Sequence, residues 1–204
     1  MTGKMLEFVI QGGVVMIPIL ICSAIACFII IERLFMLRRG RVLRADVLDA
    51  IEQLLRQQKI PEASTLCTRH EMPMTRMVQV ALLNAERPKM ELIEMVESQG
   101  RLEMSCLERY LTTLSTIASI APFLGLLGTV MGLLRVFQAI SEEGGVNNAA
   151  LLSGGIYNAL ITTVGGLCVA IPTLVAYNYF SRRAESLMLD IERISLRLLN
   201  ILKR

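Results

Sequence analysis

Three long stretches of the chain contain no charged residue. They cover 8–31, 110–134 and 144–181, and are 24, 25 and 38 residues long. A helix that crosses the hydrocarbon layer of a bilayer needs about 20 apolar residues. The pattern therefore predicts an all-α membrane protein with three transmembrane helices, at roughly 13–34, 112–138 and 153–180.

The segments outside these spans carry the charges. Segment 35–111 has the spacing of charged and apolar residues that is typical of helices, interrupted at Pro61, Pro73 and Pro88. No strong stop signal separates its last part from the second span, so we expect one long helix there. We also expect the third span to continue as a helix through 181–204, so that both spans have long helical extensions.

The basic residues predict the orientation of the spans. Of 21 Lys and Arg, 13 lie in 33–109 and 6 in 182–204. Segments rich in Lys and Arg stay in the cytoplasm. The expected topology therefore has a short periplasmic N-terminus at 1–12, a periplasmic loop at 139–152, and a cytoplasmic C-terminus.

Composition supports a membrane protein and excludes several other classes. Hydrophobic residues make up 53% of the chain and charged residues 19%, which excludes intrinsic disorder. The net charge of +3 gives no support to nucleic-acid binding. The five cysteines lie in spans or on the predicted cytoplasmic side, where disulfides are rare.

Enzyme and metal chemistry have little support in the sequence. Cys67 and His70 form an isolated C-x-x-H pair, whereas a zinc site needs a second pair, so we expect no metal and interpret His70 as a surface residue. The chain has no phosphate-binding loop, nucleophile elbow or dinucleotide fingerprint. We therefore expect neither a cofactor nor enzyme activity.

Small residues form a stripe on each of the last two spans. The second span carries Gly125, Gly128 and Gly132, and small residues at this spacing let helices approach closely. The stripe of the third span includes Ala159, Thr162 and Gly166. These residues are predicted to pack helices together or to line a pore.

Thr129 and Thr163 are the candidate ion-path residues. They lie 9 and 10 residues from the predicted external ends of their spans, about 14–15 Å deep in a layer about 30 Å thick. Their hydroxyls could line a polar path at one depth. In the alternative, each bonds back to its own helix, Thr129 to the Gly125 carbonyl and Thr163 to that of Ala159.

The chain lacks a titrating side chain inside the predicted membrane layer. Proton translocation usually employs a carboxylate or His there. Glu32 lies at the cytoplasmic edge, and the most polar interior residue other than the hydroxyls is Asn158, which cannot titrate. If the chain forms a proton path, a partner must supply the titrating group.

Segment 113–180 resembles the MotA/TolQ/ExbB family of ion-channel subunits, in particular the three-span ExbB and TolQ branch. The resemblance rests on the run Ala121-Pro122-Phe123-Leu124-Gly125-Leu126-Leu127-Gly128-Thr129-Val130-Met131-Gly132 and on the run from Ala159 to Pro172, followed by Tyr177-Asn178. Pro122 and Pro172 are structural positions of these motifs. The chain departs from the branch at Asn158, where ExbB and TolQ have Glu.

The resemblance implies a homopentamer around a pore in the bacterial inner membrane. The pore would hold the single transmembrane helices of an ExbD- or TolR-like partner whose Asp carries the proton, and Thr129 and Thr163 match the family's pore threonines. Such a motor acts on the envelope, for example through a TonB- or TolA-like protein. The contrasting hypothesis is a non-conducting scaffold that clamps partner helices.

Overall fold

Seven α-helices form the secondary structure of the described part of the chain. The computed structural model describes residues 13–37, 43–142 and 149–203, without the side chains of 142 and 149–152. The helices are α1 Met16–Met36, α2 Ala45–Arg56, α3 Ile60–Arg69, α4 Pro73–Leu83, α5 Lys89–Glu108, α6 Leu111–Glu142 and α7 Ala149–Leu202.

Three of these helices, α1, α6 and α7, are long and apolar enough to cross a membrane. The second and third extend beyond the predicted span limits, since α6 runs to Glu142 and α7 begins at Ala149. The predicted periplasmic loop is thus largely helical where it is described. The predicted N-terminal segment 1–12 and the central part of the loop, 143–148, lie outside the described residues.

The chain divides into two units. The first, here called the spanning unit, contains α1 up to Ile31, α6, and α7 up to Asn178. The second, here called the charged unit, contains Glu32–Tyr110 and Tyr179–Arg204, and therefore α2 to α5 with the last part of α7. Because α7 belongs to both units, the third apolar helix continues into the charged unit without a break, as the sequence predicts.

Prolines begin the helices of the charged unit rather than interrupt them. Pro61 lies in the first turn of α3, Pro73 is the first residue of α4, and Pro88 directly precedes α5. Proline suits these positions because the first backbone N–H groups of a helix have no intrahelical partner.

An apolar core and an ion pair between α4 and α5 stabilise the charged unit. Glu103 is 4% exposed, and its carboxylate accepts hydrogen bonds from Arg76 Nε at 2.8 Å and Arg76 Nη2 at 2.6 Å. This pairing raises the pKa of Arg76. The apolar core of this unit consists of large side chains that are almost fully buried: Ile51, Met74, Met77, Leu92, Val96, Leu187, Ile191, Leu198 and Leu199.

The expected continuous helix from the charged unit into the second span is wrong, because α5 ends at Glu108 and α6 begins at Leu111. Arg33 Nη1 donates a hydrogen bond to the Leu107 carbonyl oxygen at 2.8 Å. In an unbroken α-helix that carbonyl would accept from the N–H of Leu111. The helix therefore breaks where a side chain from α1 takes over one of its carbonyl groups.

Candidate functional site

Within the spanning unit, α6 and α7 pack at a distance that only small residues allow. A Cβ atom added to Gly128 would lie 2.5 Å from the Thr162 Cβ, and one added to Gly132 would lie 2.7 Å from the Ala159 Cβ. Real Cβ atoms do not approach other atoms this closely. The two predicted small stripes therefore face each other.

The same contact extends towards both ends of the two helices. A Cβ atom on Gly166 would lie 2.5 Å from the Ala121 carbonyl oxygen and 3.1 Å from the Gly125 Cα. At the other end, Val136 lies against Gly155. Residue numbers rise on α6 as they fall on α7, so the helices pack antiparallel and hold their register through glycine contacts.

Thr163 donates a hydrogen bond across this contact. Its Oγ1 lies 3.1 Å from the Gly125 carbonyl oxygen on α6. The alternative bond to the Ala159 carbonyl is made instead by the neighbouring residue Thr162, whose Oγ1 donates to Ala159 at 2.6 Å and lies 3.3 Å from the Gly125 oxygen. One carbonyl group of α6 is thus shared by two hydroxyls of α7, which the sequence did not predict.

Thr129 donates to its own helix. Its Oγ1 lies 2.6 Å from the carbonyl oxygen of Leu126, whereas the alternative interpretation predicted a hydrogen bond to the Gly125 carbonyl. The side chain is half-buried. A hydroxyl whose proton is donated to a carbonyl keeps lone pairs that can accept a hydrogen bond from another group.

The two candidate threonines lie at nearly the same level. Gly128 faces Thr162, and each candidate is the next residue in its own helix: Thr129 after Gly128 and Thr163 after Thr162. One residue along a helix is a rise of about 1.5 Å, and in antiparallel helices the two steps run in opposite directions, so the two levels differ by about 3 Å. Both side chains are half-buried, so parts of both remain accessible at this level of the helix pair.

The remaining candidates lie around this helix pair. Asn158 is exposed, next to Ala159, which is buried against Gly132. Pro122 is half-buried inside α6 and Pro172 is exposed inside α7, and both helices continue through their prolines. Proline has no N–H, so each removes one hydrogen bond from the ladder of its helix.

A glycine of α7 also faces the first spanning helix. A Cβ atom added to Gly165 would lie 3.1 Å from the Met16 Cε. Gly165 precedes Gly166, so adjacent glycines serve contacts with different helices. Gly165 is not part of the small-residue stripe predicted for the third span, although its place in the Gly165-Gly166 pair was a usable signal.

The chain resembles known proteins over most of its length. A biopolymer transport protein ExbB homolog of Methanothermobacter thermautotrophicus is 33% identical over 196 residues, covering 95% of this chain and 68% of the relative. An ExbB-like protein of Synechocystis is 34% identical over 170 residues, covering 83% and 81%. The biopolymer transport protein ExbB of Aquifex aeolicus is 41% identical over 102 residues, covering 50% and 68%.

The family comparison covers both units of the structure. The sequence model of the MotA/TolQ/ExbB proton channel family matches residues 69–193, which is more than half of the chain. The match includes α4, α5, α6 and most of α7, and with them every candidate residue of the α6–α7 contact. The chain therefore belongs to the MotA/TolQ/ExbB proton channel family.

Proposed function

We propose that the protein is the channel-forming subunit of a proton-driven motor in the bacterial inner membrane. Copies of it form a ring, five by family resemblance, around the transmembrane helices of an ExbD- or TolR-like partner. The observation that carries this proposal is the presence of two half-buried threonines, Thr129 and Thr163, at nearly the same level of a helix pair in a proton channel family. The uncharged stretches around them contain no carboxylate or His.

The hydroxyls suit both forms of a partner carboxyl group. A protonated carboxyl donates a hydrogen bond, and the free lone pairs of Thr129 and Thr163 can accept it. An ionised carboxylate needs donors, which the same hydroxyls supply when they rotate away from Leu126 and Gly125. A hydroxyl pair can thus stabilise the group before and after it releases its proton.

Proton flow would supply the energy of the motor. Each charge that moves down the membrane potential releases about 2.3 kcal/mol per 100 mV. The names of the relatives from Methanothermobacter and Aquifex describe biopolymer transport. We infer that the output here is mechanical work on the cell envelope, for example through a TonB- or TolA-like protein.

The second candidate function is a non-conducting scaffold. Its support is that both hydroxyls already donate to backbone carbonyls, which is what packing residues do. In that case Thr129 and Thr163 would only fix helix positions, and the ring would clamp partner helices without an ion path.

Proton flux into liposomes separates the two functions. The chain is reconstituted with its single-span partner, and a pH-sensitive dye inside the vesicles reports proton entry when a potassium gradient imposes a negative internal potential. A channel gives flux that depends on the partner and its Asp. Proton flux no greater than that of empty vesicles contradicts the proton channel. Partner-dependent sodium entry, reported by a sodium-sensitive dye in the same vesicles, would identify a sodium channel instead.

A further inference from the structure

Two exposed stripes of side chains run along helices of the charged unit. The α5 stripe consists of Glu91, Met95, Ser98, Leu102 and Ser105, together with Arg109 directly after the end of the helix. The α7 stripe consists of Arg182, Ser186, Leu189, Arg193, Leu196 and Asn200. All of these residues are exposed except Met95, which is half-buried. Leu102 is 61% and Leu189 60% exposed, so each stripe presents a large apolar side chain to its surroundings.

Both stripes have the spacing of helices that pack side by side. Their positions alternate by four and three residues, which is the heptad pattern. Each helix has another face that is already buried inside its own unit, through Leu92 and Val96 on α5 and Leu187 and Ile191 on α7. The exposed stripes are therefore second packing faces.

Contacts within the chain show which residues of α5 and α7 lie at the same position along the two helices, here called the same level. A Cβ atom on Gly100 would lie 2.9 Å from the Met188 Cε and 3.6 Å from the Glu192 Oε1. Farther along, Lys203 Nζ donates to the Ala85 carbonyl oxygen at 2.7 Å. Residue numbers fall from Gly100 to Ala85 while those of their contacts rise from Met188 to Lys203, so α5 and α7 run antiparallel, with Gly100 level with the turn between Met188 and Glu192.

This register places complementary residues of the two stripes at equal levels, to within about one residue. Leu102 is level with Leu189, and Met95 is level with Leu196. The acidic residues beside the α5 stripe match basic residues of α7 in the same way: Glu97 is level with Arg193, and Glu94 with Arg197. All four charged side chains are exposed.

We propose that the α5 stripe of one copy docks on the α7 stripe of the next copy around the ring. The proposal rests on the ring of the proposed function. In the proposed arrangement α5 and α7 run along the ring axis. Rotation about that axis leaves the height of every residue unchanged, so levels that match within one chain also match between neighbours. The contact uses two different surfaces, which is the arrangement that closes a ring of identical subunits.

The chemistry of the stripes favours a second copy over another protein. Both halves of the contact, apolar and charged, are present on the same chain at matching levels. Two of the charged residues have partners within the chain, Arg197 with Glu52 at 3.1 Å and Glu91 with Arg87 at 3.3 Å. The Arg87–Glu91 pair is exposed and contributes little to stability, so it can rearrange when the copies meet. Glu52 is half-buried and also accepts a hydrogen bond from Arg56, so it keeps a partner when Arg197 contacts a neighbouring copy.

Cross-linking between two differently tagged chains tests the contact. Cys22, Cys27, Cys67, Cys106 and Cys168 are replaced by Ala. One chain then carries Leu102→Cys and the other Leu189→Cys, and a short bis-maleimide is applied to membranes that contain both. Only a bond between copies gives a product with both tags, and we expect it to be the main product.

Register is tested with matched positions on the same helices. Leu102→Cys with Asn200→Cys should give no product, because the two levels differ by 11 residues, or about 17 Å. Glu91→Cys with Asn200→Cys should cross-link again. Glu97→Arg and Arg193→Glu should each reduce the yield of the Leu102–Leu189 pair severalfold, and the two reversals combined should restore it.

Native mass spectrometry of the cysteine-free chain distinguishes a failure of the docking contact from a failure of the ring. If the ring is intact but the Leu102–Leu189 yield does not exceed that of Leu102–Asn200, the docking contact is overturned while the proposed function stands. A chain that remains monomeric in mild detergent overturns the ring and the docking contact together.

Discussion

The buried side chain of Arg33 donates a hydrogen bond from Nη1 to the Leu107 carbonyl oxygen at 2.8 Å, at the point where α5 ends. Its guanidinium lies 4.9 Å from the centre of the Tyr110 ring, and its Nε lies 3.0 Å from Glu32 Oε2. A cation at a helix C-terminus is stabilised by the helix dipole. Arg33 therefore ties the end of the first apolar helix to the end of α5.

Replacing Arg33 with Met should destabilise the protein strongly. Met keeps much of the apolar length but leaves the Leu107 carbonyl and the Glu32 carboxylate without the guanidinium, at a cost of about 3 kcal/mol. Thermal unfolding in detergent measures the loss. Arg101→Met, at an exposed position of α5, is the control and should change stability by less than about 0.5 kcal/mol. Equal effects of both substitutions would contradict the role of Arg33.

Gly128→Ala should separate α6 from α7. The added methyl group would meet the Thr162 side chain, with its Cβ 2.5 Å from the Thr162 Cβ. Overpacking of this kind costs about 1–3 kcal/mol, and Gly128→Leu should prevent assembly of the ring. The control is Gly154→Ala, since a Cβ atom there has nothing within 4 Å. Thermal unfolding and native mass spectrometry should show reduced stability and reduced ring assembly for Gly128→Ala but not for Gly154→Ala. Equal stability and assembly of the two variants would rule out the close contact.

Cys67 should make stability depend on pH in the alkaline range. Burial raises the pKa of its thiol from 9.0 to about 11. In the unfolded chain the thiol loses its proton near pH 9, whereas the folded protein holds it until about pH 11, so unfolding becomes more favourable as pH rises between these values. Between pH 8 and pH 11 the free energy of unfolding should fall less for Cys67→Ala than for the parent chain. Identical pH profiles would contradict this environment.

Membrane orientation can be measured with an impermeant maleimide on intact cells. Cys106 is the suitable reporter for the predicted cytoplasmic side because it is exposed, whereas Cys67 is 1% exposed and should not react in the folded protein. On a background without the other cysteines, we expect Asn147→Cys to be labelled from outside and Cys106 to be labelled only after lysis. The opposite pattern would invert the topology.

The sequence predicted the elements that depend on local composition. Uncharged stretches of sufficient length predicted three apolar helices, and the positions of small residues predicted a close helix contact, because both signals lie within one segment of chain. The spacing of Gly128 and Gly132 was enough for this prediction, which did not require knowing the residues that they contact.

The features that the sequence did not predict depend on residues far apart in the chain. The break between α5 and α6 involves Arg33, 74 residues before Leu107, and nothing near Leu107 signals it. Thr163 has a partner on α6 because the register of two helices brings Gly125 within reach. Spacing within α7 alone could suggest only a bond to its own helix.

The most direct test of the ion path compares Thr→Val variants in the liposome flux assay with the partner present. Val keeps the shape of Thr but removes the hydroxyl. Thr116→Val is the matched control for Thr129→Val, since Thr116 Oγ1 donates to the Thr112 carbonyl of the same helix at 2.9 Å. Thr173→Val is the control for Thr163→Val, because Thr173 donates to the Val169 carbonyl on α7 at 2.7 Å.

We expect Thr129→Val and Thr163→Val each to reduce partner-dependent proton flux at least tenfold with an intact ring, while Thr116→Val and Thr173→Val conduct like the parent protein. Asn158→Ala should be milder than both, because Asn cannot titrate. Flux equal to that of the parent in both candidate variants would show that these threonines only pack helices, and would contradict the proposed ion path.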